Sequence, residues 1–241
     1  VGLTEAEVSG ALLCLDVTER VVDEAITKGC NLIVAHHPLI FRKLSQVTDA
    51  NYVQRTVIKA IKNDIVIVAM HTNLDAAFGG VNFKIAEKLR LRDVRFFGRE
   101  KVVTNPLTDK KVTGGDGVIG CFDTPLAADD LILLLKKEFD VECVQANELL
   151  RREIQTVALC GGSGSFLLQD AINAGADAFI TGEMGYHEFF GHEQEIQLCV
   201  IGHYQSEQYT TEVLRDVIER DCPGVKCCIS EINTNPIVYF S

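Results

Sequence analysis

No apolar run in this chain of 241 residues is long enough to cross a bilayer, and no secretory signal is visible. A cytoplasmic protein without a membrane partner is therefore expected. Positive charge is in short supply. Lys and Arg number 23 against 34 Asp and Glu, a net charge of -11, which argues against a nucleic-acid backbone or an anionic membrane as the main partner. It leaves room for a single anionic ligand held by a local metal or loop. A CxxC pair is missing too: the nine cysteines are odd in number, with Cys14, Cys160 and Cys199 in apolar strand-like runs and Cys227 and Cys228 adjacent. They read as reduced core residues of an intracellular protein rather than a disulfide or thiolate-zinc framework. An initial Met is also absent; the chain opens on Val1, so an N-terminal segment is expected to precede it. What is present is 47% hydrophobic and 24% charged residues, ample for one large or two small cored domains.

The pattern alternates strands and helices. Ala11–Val17 reads as a strand and Glu19–Lys28 as a helix with Thr18 as N-cap and Gly29 as terminator. Asn31–Ala35 is the next strand, so the first unit is βαβ and its strands are parallel. A helix over Tyr52–Lys62, a strand over Ile65–Met70 and a helix over Val81–Leu89 follow. The polar, turn-rich stretch Thr104–Asp116 reads as a linker or insertion site. A second alternating block then runs through strands at Val118–Phe122, Val141–Val144, Thr156–Cys160, Ala178–Thr181, Leu198–Gly202 and Val225–Ile229, with helices over Leu126–Glu138, Leu167–Asn173 and Ser206–Arg220. Ala11–Val34 and Val157–Ile180 share one strand–helix–strand layout, which suggests two related halves. The expected architecture is α/β, with two βαβ-based lobes of mainly parallel sheet around a metal-binding cleft. The lobes are residues 1–103 and 118–241, with 198–241 packing back on the first.

Potential ligands cluster at strand ends, where open α/β sheets place their sites. His36 and His37 follow one strand, and Pro38 holds His37 extended. Neighbouring strand side chains diverge, so both imidazoles can face one pocket only where the chain turns. His71 and Asp75 follow a second strand. His203 follows a late one, with Glu207 a helical turn further on. Any of these alone is ordinarily structural; together they offer nitrogen and oxygen donors suited to zinc, iron, manganese, cobalt or nickel. Four would fill one tetrahedral site, and five or six suit two metals sharing a water. Gly161, Gly162, Ser163 and Gly164 lie between a strand and a helix, as a phosphate-cradling loop would. They lack the Walker lysine, and a tight turn is the equal alternative. Glu183 and His187 form a same-face pair if helical, able to move protons, hold substrate or only hydrogen-bond.

The motifs AHHPLIF (Ala35–Phe41), HTNLDAAFGGVN (His71–Asn82), CGGSGS (Cys160–Ser165) and GHYQSEQ (Gly202–Gln208) resemble the GTP cyclohydrolase I type 2 family, also called NGG-interacting-factor-like. The resemblance spans almost the whole chain. It implies two similar lobes around a dinuclear metal centre, commonly in a toroidal homohexamer. It implies two divalent ions per chain, with His36, His37, Asp75, His203 and Glu207 as ligands and Glu207 bridging. His71 matches a position beside the centre with a supporting or catalytic role, and the loop Gly161–Gly164 would line the substrate cleft. Two features depart from the pattern. The stretch at Thr104–Asp116 is too short for the inserted domain many members carry, and the family's early Asn-X-Gly-Leu is represented only by Val1-Gly2-Leu3.

These residues lead to the expectation of a metal-dependent hydrolase acting on a nucleotide or similar phosphorylated small molecule, with His71 and Glu207 as catalytic residues. Ring opening of GTP with formate release is implied by the family name alone. The alternative is a non-catalytic metal-binding regulatory or delivery scaffold.

Overall fold

Short runs of buried aliphatic residues alternate with capped amphipathic helices, and each run becomes a strand. The computed structural model describes residues 1–105 and 108–240. In chain order its elements begin with β1 (Ala11–Cys14), α1 (Glu19–Lys28), β2 (Leu32–Ala35), α2 (Tyr52–Lys62) and β3 (Val66–Ala69). Next come α3 (Thr72–Asp75), α4 (Val81–Lys88), β4 (Arg92–Thr104), β5 (Lys111–Leu126), α5 (Ala128–Glu138) and β6 (Gln145–Ala146). The chain continues through β7 (Ile154–Cys160), α6 (Leu168–Asn173), β8 (Ala178–Thr181) and β9 (Gln197–Val200). It ends with α7 (His203–Glu207), α8 (Thr210–Asp221) and β10 (Cys227–Ile229).

The chain forms two compact units, one of Val1–Leu74 with the residues from Thr210 onward, the other of Asp75–Tyr209. In the first, the strand order is β10-β1-β2-β3 and every pairing is parallel. All four residues of β1 are buried, as expected for a strand covered on both faces. The helix α1 begins where the Thr18 hydroxyl accepts the Val21 N–H, and it ends at Gly29, whose φ of 70° turns its N–H back onto helix carbonyls. Its face of Val21, Val22 and Ala25 packs with Leu12, Ile33, Val57, Ala60 and Ile67 in one apolar cluster.

The second unit carries a mixed sheet in the order β4-β5-β7-β8-β9-β6. Its heart is parallel, β7 to β8 to β9, and the flanking pairs are antiparallel. Phe97, Ile119, Ala158, Leu167, Ala171, Phe179 and Leu198 form its core. The α/β class is as expected, and the repeated βαβ layout is present: Ala11 pairs with Leu32 and Val157 with Ala178, the same separation along the chain.

Three local expectations are corrected. The segment read as a linker is mostly strand: Lys111–Asp116 opens β5, which pairs with β4 out to Thr104↔Lys111. Residues 106 and 107 of that segment lie outside the described residues. Val141–Val144 is not a strand, because Asp140 turns left-handed (φ 50°) and the Val141 N–H bonds back to Lys136 O. Val141 is thus a buried helix stop, and pairing with β9 begins only at β6. The helix expected over Ser206–Arg220 is two, α7 and α8.

All nine cysteines are free, with Cys143 and Cys222 exposed. Burial pushes the Cys199 thiol up to about 12. Cys160 reaches about 12 as well, through burial first and the charges of Asp75, Glu207 and Asp116 second. Both therefore stay protonated at pH 8, where thiolate is the reactive form. Iodoacetamide at pH 8 should label Cys143 and Cys222 in the native protein and leave Cys160 and Cys199 untouched until denaturant is added. Peptide mass mapping checks this, and native labelling of Cys199 as fast as Cys143 would refute it.

Candidate metal centre

Parallel pairing fixes which side chains emerge together. In the first unit Ala35 pairs with Ala69 at the ends of β2 and β3, so the residues just beyond, His36-His37 and His71, leave the sheet side by side. The strand alternation is broken at the right place: β2 ends at Ala35 and the chain bends at His36 and His37. The two rings lie 4.7 Å apart between centroids. His71 stands edge-on to both, at 5.6 and 5.5 Å, and Phe41 closes against His71 at 6.1 Å. His36 is fully buried and His37 half-buried.

A partner absent from the sequence reading supports this group. Asp16, just past the end of β1, places Oδ1 2.9 Å from His37 Nδ1, while the Thr234 hydroxyl donates to Asp16 Oδ2 at 2.7 Å. An ionised carboxylate only accepts, so Nδ1 of His37 is the donor in this pair. The signal was available: β1 and β2 end together at Cys14↔Ala35, which puts Asp16 beside His37.

In the second unit Cys160 pairs with Thr181, and Thr181 with Val200. The turns after β7, β8 and β9 are therefore neighbours, and they carry Gly161–Ser163, Glu183 and His203. His203 Nδ1 lies 3.1 Å from Glu183 Oε1, and Nε2 lies 3.2 Å from Glu207 Oε2. Glu183 Oε2 accepts the Ser163 hydroxyl at 2.5 Å. Glu207, on α7, is 5% exposed. Two carboxylates thus flank one imidazole, an arrangement that a proton on Nε2 or a cation held between Nε2 and Oε2 would satisfy. Asp75 is tied into this unit by Asn82, whose amide donates to Asp75 O and Asp116 O at 3.2 Å each and accepts the Gly161 N–H at 2.9 Å. Asn82 is buried and was not singled out from the sequence, though it closes the His71–Asn82 motif.

Three N–H groups of the glycine-rich turn are already engaged within the unit. The N–H groups of Gly161, Gly162 and Gly164 are taken by Asn82, by the Ser206 hydroxyl at 2.9 Å and by the Thr181 hydroxyl at 3.0 Å. The turn lets the chain pass close to the acid. Gly162 has φ of 59°, and a Cβ there would collide with Glu207 Oε1. Glu183 and His187 do not share a helical face, because Glu183 precedes the single 3-10 turn Tyr186–Phe189. His187 is exposed and packs with Tyr186 and Phe190. An open hollow of about 440 Å³ beside Glu183 is lined by Ser163, Ser165, Met184 and Gly185.

Comparison with known proteins places these residues in context. The family model for Duf34/NIF3 (NGG1p interacting factor 3) matches residues 1–236. A Clostridium perfringens protein named GTP cyclohydrolase 1 type 2 homolog is 33% identical, the alignment covering 100% of this chain and 89% of the relative. A Drosophila melanogaster protein named NIF3-like protein 1 is 28% identical over 97% of this chain and 78% of its own length. Among solved structures, a Staphylococcus aureus hypothetical protein superposes with a TM-score of 0.88 at 27% identity, covering 100% of this chain and 90% of that one.

The glycine turn gives a direct test. Gly162→Ala sets a methyl group against Glu207 in a left-handed conformation, which costs about 1–3 kcal/mol from the backbone alone. Denaturant unfolding should show a loss of at least that size, and a variant as stable as the parent would refute the close approach.

Proposed function

The chain belongs to the Duf34/NIF3 family, and we propose that it is a dinuclear metal-dependent hydrolase of a nucleotide or related phosphorylated small molecule. In this reading His36, His37 and Glu207 would be metal ligands. Asp75 and His203 would complete the ligand set for two divalent ions. The observation that carries the reading is that His37 and His203 each have Nδ1 against a carboxylate, with the Glu207 carboxylate beside His203 Nε2. When bound, divalent cations supply Lewis-acid chemistry and lower the pKa of water toward neutrality.

The remaining roles belong to the chain's own groups. His71, edge-on to His36 and His37, is the proposed proton carrier. The hollow bordered by Ser163, Ser165 and Glu183 seats a polar part of the substrate, and Gly161–Gly164 form its wall. The name carried by the Clostridium relative favours a guanine nucleotide as the first substrate to assay, with ring opening and formate release as the reaction. A homohexamer in the cytoplasm is part of the same proposal.

The test is an assay of protein loaded with zinc, manganese or iron against GTP and a phosphoester panel, alongside elemental analysis. About two ions per chain and measurable turnover are expected. Glu207→Gln should lower turnover by at least about a hundredfold, roughly 2.7 kcal/mol, with the circular dichroism of the parent retained. Stoichiometric metal without turnover of any candidate would sink the hydrolase and favour the regulatory or metal-delivery scaffold, which the words "interacting factor" in the family description also suit.

A further inference from the structure

Both units build the same three-part chain at the carboxyl ends of three consecutive parallel strands. In the first, the strands β10, β1 and β2 adjoin in that order. Beyond β10 comes a hydroxyl (Thr234, five residues on), beyond β1 a carboxylate (Asp16, two residues on), and beyond β2 an imidazole (His37, two residues on). The links are 2.7 Å from Thr234 Oγ1 to Asp16 Oδ2 and 2.9 Å from Asp16 Oδ1 to His37 Nδ1. In the second, β7, β8 and β9 adjoin in that order. Again the sequence is hydroxyl (Ser163), carboxylate (Glu183), imidazole (His203). The links are 2.5 Å from Ser163 Oγ to Glu183 Oε2 and 3.1 Å from Glu183 Oε1 to His203 Nδ1.

We propose that Asp16 and Glu183 are paired positioning residues, each locking one histidine with its proton on Nδ1 so that Nε2 is presented to metal, and that Thr234 and Ser163 clamp those carboxylates. The inference rests on the metal reading given above. The chemistry is that of an outer carboxylate orienting a metal-bound imidazole. Such a group fixes the ring's rotation and tautomer, and it makes the far nitrogen a stronger donor. A carboxylate on a flexible stem does this only if its other oxygen is held, and each hydroxyl occupies that oxygen. In the second unit the far nitrogen's direction is visible, because His203 Nε2 points at Glu207 Oε2.

Zinc affinity, measured by competition with a chelator, tests the proposal in the full chain. Asp16→Ala and Glu183→Ala should each weaken zinc binding about 10–100-fold. Asp16→Asn and Glu183→Gln, whose amide oxygens can still accept from Nδ1–H, should recover most of that loss. Thr234→Val and Ser163→Ala should fall between. Thermal unfolding of the metal-free variants separates a lost clamp from a damaged fold, since the proposal requires affinity to drop with the unfolding midpoint held. A readout in the parent protein needs no substitution. With histidine labelled by nitrogen-15 and zinc bound, long-range proton–nitrogen spectra should show His37 and His203 protonated on Nδ1. Either ring protonated on Nε2 would overturn the proposal, as would alanine variants that bind zinc like the parent while His37→Ala and His203→Ala lose it. If His37→Ala and His203→Ala also bind zinc unchanged, the metal reading itself falls.

Discussion

The in-register parallel pairing of strands is the constraint on which every candidate ligand depends. A parallel ladder aligns the carboxyl ends of neighbouring strands, so whatever follows each strand is delivered to one edge. In the first unit that alignment is Cys14 to Ala35 to Ala69. In the second it is Cys160 to Thr181 to Val200. A register slip of one residue in either sheet would exchange the faces of all the strand side chains. The burial of every residue in β1, β8 and β9 opposes such a slip.

Given that alignment, the turns past the strand ends must be compact and internally satisfied, and their composition follows from that. Small residues predominate after β7 because the chain there runs against Glu207 and against its own Cys160. A Cβ on Gly164 would come within 2.8 Å of Cys160 Sγ. The free N–H groups of that turn find Asn82, Ser206 and Thr181, three buried polar side chains whose hydrogen bonds would cost roughly 1–3 kcal/mol each to leave unmade. Ser206 also donates to His203 O at 2.8 Å, so the turn and α7 are fastened to one another. The helix that carries Glu207 is thus tied to the turn that runs against the acid.

Much of this was legible from residues alone, and the failures share a cause. His36, His37, His71, Asp75, His203 and Glu207 stand out because imidazoles and acids after apolar runs are chemically conspicuous. Asp16, Asn82 and Ser206 were passed over because nothing marks an Asp, Asn or Ser locally; their role comes from which strand lies next door. The start of β5, within the stretch Thr104–Asp116, reads as a linker for a related reason. Its glycines suggest turns, yet Gly115 and Gly117 have no room for a Cβ because Phe96 and Phe97 pack over them, and Gly114 is pressed against Ala76 O. Glycine there serves close packing within an extended strand, a use that sequence spacing does not distinguish from a turn.

The internal repeat does not account for the matching hydroxyl, carboxylate and imidazole chains. Laying β1–α1–β2 on β7–α6–β8 by their pairing registers puts His37, just past Ala35, at the place of Glu183, just past Thr181. The chain of groups aligns differently: its carboxylate follows β1 in one unit and β8 in the other. A copied half would have carried the same residue type to the same place, whereas here an imidazole and a carboxylate occupy corresponding positions and act one step apart along the sheet. The repeated βαβ layout therefore accounts for the strands but not for the order of groups at their ends. What the two chains share is the link itself, a hydroxyl-bonded carboxylate set against the Nδ1 of one histidine.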